Sequence, residues 1–309
     1  MPEALAGAPD EGFGRVAIVG CGLIGGSVAA ALRARGLCEL LTAYSPADGA
    51  QARALGLVDV LAPTLEAAID GADLVVLAAP VSVNAGLMPA IAGALGDRSV
   101  LTDVSSVKAG VVAAARAGLG PKRRRFVASH PIAGGETSGP SAANPALFEG
   151  RSAILSPMAD ADPDAVDEVR RLWQALGAST LDLDVDEHDR VYALVSHWPH
   201  AVAFGLARAV AGALGAAAPG AAAPAVPAAT AARADALIGA GLRDTTRIAA
   251  SDPGLWADIL LQNAGPVLDA ARAFGDEIER LERAIRLADR DALVALIGDA
   301  ARWRREIGR

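Results

Sequence analysis

One glycine-rich segment constrains the fold of this chain more than any other. The apolar run Arg15–Gly20 leads directly into G-x-G-x-x-G, and an alanine-rich helical pattern follows as far as Arg35. Strand, glycine turn and helix in this order are typical of a dinucleotide-binding unit, because the glycines permit a tight turn and let a pyrophosphate approach the helix N-terminus. The alternative is a glycine turn that binds nothing. The predicted cofactor ligands are Gly20, Gly22, Leu23, Ile24 and Gly25.

Further short apolar runs recur at intervals that leave room for helices between them. They are Glu39–Tyr44, Leu74–Ala78, Val100–Asp103, Phe126–Ala128, Ser152–Ser156 and Ser179–Asp182. Strands alternating with helices predict an α/β fold with a doubly wound parallel sheet, a Rossmann-type dinucleotide-binding domain over residues 13–184. From residue 185 onward the pattern is helical, which predicts an all-α C-terminal domain over residues 185–309.

Two segments are predicted to lie outside these domains' regular structure. Residues 1–12 contain acidic residues and no apolar core, so we expect a disordered tail rather than a signal peptide. Residues 215–230 are almost entirely alanine and proline, and we expect a flexible loop between two helices of the second domain.

Composition excludes several classes of partner. The formal net charge of −8 and the pI of about 5.1 argue against binding to nucleic acid or to an anionic membrane. Cys21 and Cys38 are too few for a disulfide framework and lack the spacing of metal ligands, so we expect no metal and a reducing, cytoplasmic location. An acidic chain that binds an anionic substrate must gather its positive charge locally.

Polar residues follow several predicted strands and should meet at one edge of the sheet. Ala79 and Pro80 follow one strand, Ser106 lies in the turn after the next, and all three are predicted to contact the cofactor. Ser45 follows the second strand, where NAD-binding sites usually have a carboxylate. No carboxylate appears there before Asp48 and no arginine before Arg53, so NAD and NADP both stay open, with a slight preference for NADP.

The segment FVASHPIAGGETSGP, residues 126–140, places His130 where an apolar strand gives way to a polar loop. Pro131 keeps the chain around it extended. A histidine at this edge of the sheet is well placed to act as a base, although a histidine that hydrogen-bonds its own turn is an equally plausible reading of the segment alone.

The helical region adds the histidines His188, His197 and His200, together with one pair of arginines at helical spacing. His197 and His200 are three residues apart on one helix face, with Pro199 between them distorting the turn. No Cys, Asp or Glu has zinc-ligand spacing on that face, and the alternative is a pair of histidines that cap a kinked helix. Arg243 and Arg247 are spaced i and i+4 and could grip a carboxylate, or could pair with surface aspartates.

Taken together, these segments resemble the prephenate/arogenate dehydrogenase (cyclohexadienyl dehydrogenase) family. The matching pieces, in order, are VAIVGCGLIGGS, LTDVSSVK, SHPIAGGETSGP, HDRVYALVSHWPH and GLRDTTRIAASDPGLW. They span the chain from Arg15 to about Asp269. No chorismate mutase-like segment or regulatory domain is visible, which fits the monofunctional form. Residues 215–230 look like an insertion relative to compact members.

The resemblance implies an NAD(P)-dependent oxidative decarboxylation of prephenate to 4-hydroxyphenylpyruvate in tyrosine biosynthesis, by a homodimer formed through the helical domain. It implies His130 as the acceptor of the hydroxyl proton and Ser106 as the residue that holds His130 and the hydroxyl in register. It also implies substrate contacts, with Trp256 coming from the same or the second subunit. The implied substrate-binding residues are His197, His200, Arg243, Arg247, Glu136 and Trp256.

Three alternatives stay open from the sequence. Arogenate or 4-amino-4-deoxyprephenate could replace prephenate as the substrate. A hydroxyacid dehydrogenase with a helical second domain would usually need a catalytic lysine there, where this chain has histidines. A non-catalytic, NAD(P)-sensing protein would keep the glycine loop but would not need Ser106, His130, His200 and Arg247 together.

Overall fold

A single sheet in the order β3-β2-β1-β4-β5-β6-β7-β8 organises the first half of the chain. The computed structural model describes residues 12–135, 137–215 and 226–307. The strands are β1 Arg15–Val19, β2 Leu40–Tyr44, β3 Val60–Leu61, β4 Leu74–Leu77, β5 Val100–Asp103, β6 Phe126–Pro131, β7 Ser152–Pro157 and β8 Ser179–Asp182.

Helices cover both faces of this sheet and then continue alone. Those of the first half are α1 Leu23–Ala34, α2 Gly49–Ala54, α3 Leu65–Ile69, α4 Val81–Ala94, α5 Ala109–Gly118 and α6 Pro163–Ala175. Those that follow are α7 Val185–Tyr192, α8 Trp198–Ala213, α9 Ala228–Ala231, α10 Ala234–Leu237, α11 Ala240–Thr246, α12 Pro253–Gln262, α13 Ala264–Arg286 and α14 Arg290–Glu306.

Residues 16–19 of β1 and all of β4 are apolar because both faces of the sheet are buried there, whereas the edge strand β8 is largely exposed. In β1, Val16 and Ile18 belong to one core cluster, whereas Ala17 and Val19 belong to a second cluster on the opposite face. Successive side chains of a strand point to opposite faces, so a strand covered on both sides needs an unbroken apolar run. Burying these residues supplies the main stabilisation of the sheet.

The predicted Rossmann-type sheet followed by a helical region is confirmed, with one difference in strand direction. Strands β1 to β6 are parallel, whereas β7 pairs antiparallel with β6, and β8 pairs parallel with β7. Parallel neighbours need a long crossover, usually a helix. The described part of the β6–β7 connection contains only the short 3-10 turn Pro140–Ala142, so the chain returns in the opposite direction.

The helix distortion predicted around Pro199 is present as a change of helical geometry. Ala193–His197 is a π-helical turn, and α8 begins immediately after it with Pro199 in its first turn. Proline has no N–H to donate, so it is tolerated at a helix start and disrupts the turn that precedes it. In the part of the chain that the structure describes, no helix has both the length and the apolar character needed to cross a bilayer.

The two irregular segments fall largely outside the described residues. Of the predicted tail, residues 1–11 lie outside them. Of the predicted loop, residues 216–225 lie outside them, but the end of the prediction was wrong, because Ala228–Ala231 is helical. Pro227 precedes that turn and no proline lies within it, so the alanines there are free to form a helix.

Candidate active site

The glycine loop has the shape that a dinucleotide requires. Gly20 has a φ of 96°, and a Cβ on it would lie 2.6 Å from the backbone nitrogen of Ala79. A Cβ on Gly25 would lie 2.0 Å from the carbonyl oxygen of Gly20. Larger residues at these two positions would displace the backbone. A Cβ on Gly22 would meet no atom within 4 Å, which leaves open space beside the turn.

The start of α1 faces this open space without a cap of its own. Gly22 precedes Leu23 and Ile24 in the first turn, and as the N-cap residue it has no side chain with which to cap the helix N-terminus. Uncapped N–H groups and the positive end of the helix dipole attract a pyrophosphate. The predicted ligands Gly20, Gly22, Leu23, Ile24 and Gly25 therefore form one cradle, and this geometry fits NAD(P).

Ser45 lies beside the glycine loop, on the side where the sequence predicts the ribose. Its hydroxyl accepts a hydrogen bond from the backbone N–H of Cys21, at 3.1 Å, and the side chain is buried. Asp48 follows at the start of α2, where its half-buried carboxylate forms no cap hydrogen bond. Burial raises the pKa of the Cys21 thiol to about 11, and the nearby negative charge of Asp48 contributes. Asp48 thus lies beside the glycine loop, a position that sequence reasoning did not assign.

The strand ends meet at this edge as predicted. Ala79 and Pro80 lie between β4 and α4, and the Ala79 carbonyl accepts a hydrogen bond from Asn84 Nδ2 at 2.9 Å. The loop after β6 folds back onto the same region, because Asn144 N donates to Ser27 Oγ at 3.0 Å. A Cβ on Gly135 would lie 3.4 Å from Leu23 Cδ2. Glu136, the next residue, lies outside the described residues.

His130 is the last but one residue of β6, and it is buried. Val127 pairs in register with Thr102 of β5, and β5 ends one residue later at Asp103. His130, three residues after Val127, therefore lies past the end of β5. The hydroxyl of Ser129 donates to the Asp103 carbonyl at 2.6 Å and accepts from Trp173 Nε1 at 3.0 Å. These bonds fix the strand end that carries His130.

Lys108 is also buried at this strand end, where it has a structural role. Its Nζ donates to Asp103 Oδ2 and to the Ser129 carbonyl, both at 2.6 Å. The second lysine of the sequence, Lys122, donates to the backbone carbonyls of Ala92 and Leu95. The sequence has no lysine after Lys122, so the helical region offers no catalytic lysine of the hydroxyacid dehydrogenase kind.

The hydrogen-bond partner of His130 is a residue that sequence reasoning left without a role. His130 Nδ1 lies 2.9 Å from His188 Nε2, and His188 Nδ1 lies 2.8 Å from Asp189 Oδ1. The resemblance implied that Ser106 holds His130, and that role stays a prediction; the partner seen at His130 Nδ1 is His188 of α7. Ser106 lies half-buried in the turn that follows β5.

The hydrogen bonds define which ring nitrogens carry protons. A carboxylate only accepts, so the His188 Nδ1–H donates to Asp189 and His188 Nε2 keeps a lone pair. His188 Nε2 then accepts from His130 Nδ1–H, and His130 Nε2 is left as an acceptor. The geometry thus presents a lone pair of His130 at the edge of the sheet.

Electrostatics keep this acceptor neutral. Burial lowers the pKa of His130 well below 6.5, and the neighbouring His188, Lys108 and His197 lower it further. Burial also lowers the pKa of His188, although its hydrogen bond to Asp189 opposes that shift. Burial alone would raise the pKa of Asp189, but bonds from His188 and from the backbone N–H groups of Lys108 and Ala109 outweigh it and leave this pKa lowered.

The predicted substrate-binding residues of the helical region come together around Trp256. The rings of His200 and Trp256 stack with centroids 3.6 Å apart, and His197 lies 6.2 Å from Trp256 in an edge-on contact. Trp256 thus makes these contacts within one chain. His200 Nδ1 donates to the Ser196 carbonyl at 2.9 Å. Burial lowers the pKa of His200, and the positive charge of Arg247 lowers it further, which places Arg247 nearby.

Arg243 and Arg247 do not share one α-helix as their spacing suggested. Arg243 lies within α11, which ends at Thr246, and Arg247 begins the 3-10 turn Arg247–Ala250. Both side chains are exposed. The change from α to 3-10 geometry alters the rotation per residue, so the i and i+4 rule does not carry across it.

The fold and the site together define an NAD(P)-dependent dehydrogenase with a Rossmann-type domain and a helical second domain. Two family models match consecutive parts of the chain. Residues 28–181 match the prephenate dehydrogenase nucleotide-binding domain, and residues 184–299 match the prephenate dehydrogenase dimerization domain. The chain belongs to the prephenate dehydrogenase family, which confirms the resemblance predicted from its motifs.

Individual relatives are similar in sequence to this chain over nearly its whole length. It is 33% identical to the cyclohexadienyl dehydrogenase of Zymomonas mobilis, over 91% of this chain and 92% of that protein. It is 31% identical to the prephenate dehydrogenase of Bacillus subtilis, over 94% of this chain and 75% of that protein. The crystal structure of prephenate dehydrogenase from Aquifex aeolicus with hydroxyphenyl propionate and NAD+ is 32% identical, with a TM-score of 0.82, and covers 97% of this chain and 100% of that one.

Proposed function

We propose that this protein is an NAD(P)-dependent prephenate dehydrogenase that converts prephenate to 4-hydroxyphenylpyruvate and CO2. The observation that carries the proposal is the pair His130–His188, which leaves His130 Nε2 as a neutral acceptor at the edge of the sheet that holds the glycine loop. A hydroxyl proton is what such an acceptor can take. The family membership supplies the substrate class.

The chemistry asks little of the protein beyond a base and good positioning. His130 Nε2 takes the proton of the ring hydroxyl as the hydroxyl-bearing carbon gives up a hydride and the ring carboxylate departs as CO2. When bound, NAD(P)+ supplies the hydride acceptor. The electron pair of the broken C–C bond makes the ring aromatic, and the ring oxygen takes the proton back from His130 to give the hydroxyl of the product. Aromatisation drives the reaction. Holding the reactants in near-attack geometry contributes a large part of the rate enhancement.

The positive charge that forms on His130 can be transferred to His188. The Nδ1 proton of His130 can move to His188 Nε2, and the His188 ring then stays hydrogen-bonded to the Asp189 carboxylate at 2.8 Å. The charge is thus shared between two rings and faces the Asp189 carboxylate, which hydrogen bonds from the backbone N–H groups of Lys108 and Ala109 help to keep ionised. Asp189 and His188 support the base, and we propose that Ser106 contacts the substrate hydroxyl from the neighbouring turn.

The remaining residues are proposed to bind the substrate's other end. Arg247 meets a carboxylate, with Arg243 adding positive charge nearby, because a chain of net charge −8 must concentrate cations where an anion binds. His200 and His197 contact the substrate from the Trp256 side, where the two histidines and the tryptophan form one aromatic group. Glu136 stays a prediction for the entrance of the site.

We propose that the ribose pocket accepts both NAD and NADP, and that the charge of Asp48 keeps the preference for NADP slight. No carboxylate directly follows β2, and the Ser45 hydroxyl is uncharged. The acidic group that opposes a 2′-phosphate is Asp48, beside the glycine loop. The side chain of the nearest following arginine, Arg53, donates to the Val58 carbonyl.

We also propose that two copies associate through the helical domain and that the protein acts in the cytoplasm. Large apolar side chains are exposed on α12, α13 and α14, among them Leu261, Leu268, Ile285, Ile297 and Trp303. A surface with this many exposed apolar residues is typical of an interface. Light scattering after gel filtration should give twice the mass of the 31.1 kDa chain. A monomer at micromolar concentration would contradict the dimer.

One assay tests the activity and both specificities. Purified protein is mixed with prephenate or arogenate and with NAD+ or NADP+, and formation of the reduced nicotinamide is followed by absorbance. We expect turnover of prephenate with either cofactor. Turnover of arogenate alone would reassign the substrate, and cofactor binding without turnover of either compound would indicate a sensing protein.

A further inference from the structure

Asn263 connects two parts of the site that sequence reasoning did not link. It lies between α12 and α13 and is buried. Its Nδ2 donates to the backbone carbonyl of Asp189 at 2.7 Å and lies 3.0 Å from Nδ1 of His197. A carbonyl oxygen only accepts, so the amide must present its NH2 group to Asp189. The second hydrogen of the same NH2 group then points to His197.

The amide therefore decides which nitrogen of His197 is protonated. Because His197 Nδ1 accepts from Asn263, the single proton of the neutral ring lies on Nε2. Burial lowers the pKa of His197 to about 4, so the ring is neutral at pH 7. The Nε2 atom is buried and has no hydrogen-bond partner among the described residues.

This unpaired N–H lies among the other groups of the site. The His197 ring is 6.5 Å from Tyr192 and 6.2 Å from Trp256. The Ser106 backbone raises the pKa of His197 as a hydrogen-bond acceptor, although it forms no hydrogen bond of normal geometry with Nε2. His130 and His188 are close enough to interact with it electrostatically. A buried donor without a partner is costly, and an acceptor atom of a bound ligand would satisfy it.

We propose that Asn263 is a positioning residue that holds His197 as an Nε2–H donor, and that this donor binds an acceptor oxygen of the substrate. The inference rests on the proposed function for the identity of the ligand. His197 and His130 then have opposite roles. His130 offers a lone pair to a proton that leaves the substrate, whereas His197 offers a proton to an oxygen that stays bound.

Asp189 is hydrogen-bonded to both His188 and Asn263 and so influences the tautomers of both His130 and His197. Its carboxylate sets the tautomer of His188 and so of His130, and its backbone carbonyl sets the orientation of Asn263 and so of His197. One residue of α7 thus determines that one histidine accepts and the other donates.

Nuclear magnetic resonance of 15N-histidine-labelled wild-type protein tests the tautomers without any variant or substrate. The sequence has four histidines, and the structure describes all of them. Nitrogen shifts and ring-proton couplings distinguish a protonated from an unprotonated nitrogen. We expect His130, His188 and His200 to be protonated at Nδ1 and His197 alone at Nε2. In Asn263→Ala the His197 signals should change. Protonation of His197 at Nδ1 in the wild type would overturn the inference.

A matched pair of variants tests the contact with the substrate. His197→Asn keeps an oxygen that can accept from Asn263 but loses the distal donor, whereas His197→Gln keeps an amide N–H near the position of Nε2. We expect His197→Asn to raise the substrate KM about tenfold and His197→Gln to change it much less. The dissociation constant of the dinucleotide should stay the same in both.

The outcomes separate this inference from the proposed function. Equal substrate KM values for wild type and His197→Asn would overturn the substrate contact. A weakened dinucleotide with unchanged substrate KM would reassign the donor to the nicotinamide carboxamide oxygen and overturn it as well. If the wild type turns over no cyclohexadienyl substrate, the proposed function and the substrate contact both fail, while the resonance spectrum still decides the role of Asn263.

Discussion

Nδ1 of His130 lies 2.9 Å from Nε2 of His188, although the two residues are 58 positions apart in the chain. The contact joins the end of β6 to the first turns of α7, and Asp189 completes it from the next position. A histidine whose Nδ1 proton is held in this way presents its Nε2 lone pair in one direction only. The base of the proposed reaction is therefore set in place before the substrate binds.

His130→Asn should lower kcat by a factor of about 10²–10⁴, because general-base catalysis by a positioned histidine contributes this much. The dissociation constant of the reduced dinucleotide, measured by its fluorescence, should change little, because the glycine loop is left intact. Turnover close to the wild-type rate would remove His130 from the catalytic role.

Asp189→Asn should lower kcat by about 10- to 100-fold, since the amide can no longer both accept from His188 and oppose the positive charge that forms on the ring pair. Asp186→Asn is the matched control, because Asp186 lies exposed in the first turn of the same helix. Steady-state kinetics of both variants check this, with circular dichroism to confirm folding. Equal kcat values for the two variants would show that Asp189 has only a structural role.

In the profile of kcat/KM against pH, the midpoint of the acid limb should lie below pH 6.5. The base must be deprotonated, and burial together with His188, Lys108 and His197 holds the pKa of His130 well below its ordinary value. Activity is therefore expected to persist as the pH drops past 6.5 and to be lost only as it approaches the lowered pKa. Intrinsic fluorescence at each pH separates titration from unfolding. A limb at or above pH 6.5 would be inconsistent with a buried, neutral His130.

The sequence predicted the sheet well because its signal is local. An apolar run such as Leu74–Leu77 needs no distant information to be recognised as a strand buried on both faces. Strand β3, with two residues, has too few positions for any pattern to show. The glycine turn and the position of His130 at a strand end were likewise readable from neighbouring residues.

The polar contacts within the site were not predictable in the same way. His188 follows acidic residues near a helix start, where a polar residue needs no special explanation, and its role appears only through a contact with β6. Asn263 lies at a helix junction, where an amide would ordinarily be taken as a cap, yet its partners Asp189 and His197 are 74 and 66 residues away. The adjacent pair His188-Asp189 was the one local signal that could have been followed.

Arg247→Ala should raise the substrate KM at least tenfold while lowering kcat far less, which is the pattern of lost ground-state binding. The charge of Arg247 acts on His200, so Arg247 lies on the side of the site that we propose binds the substrate's other end. Arg243→Ala is the matched comparison, removing a charge that is also exposed four residues earlier, and should have the smaller effect. A large fall in kcat at unchanged KM would place Arg247 in the chemical step instead.

Asp48→Asn should shift cofactor preference toward NADP, raising the ratio of kcat/KM for NADP to that for NAD by about tenfold. The Asp48 carboxylate lies beside the glycine loop, close enough to raise the pKa of Cys21, and it would repel a 2′-phosphate. Asp97→Asn is the control, because Asp97 is exposed just before β5 begins and so lies at the opposite edge of the sheet. It removes the same unit of charge from the chain. If only the net charge of the protein mattered, the NADP-to-NAD ratio of kcat/KM would change equally in both variants. If the position of the charge matters, the ratio changes only in Asp48→Asn. If neither ratio changes, Asp48 does not face the ribose, and the discrimination must come from Ser45 and the backbone around it.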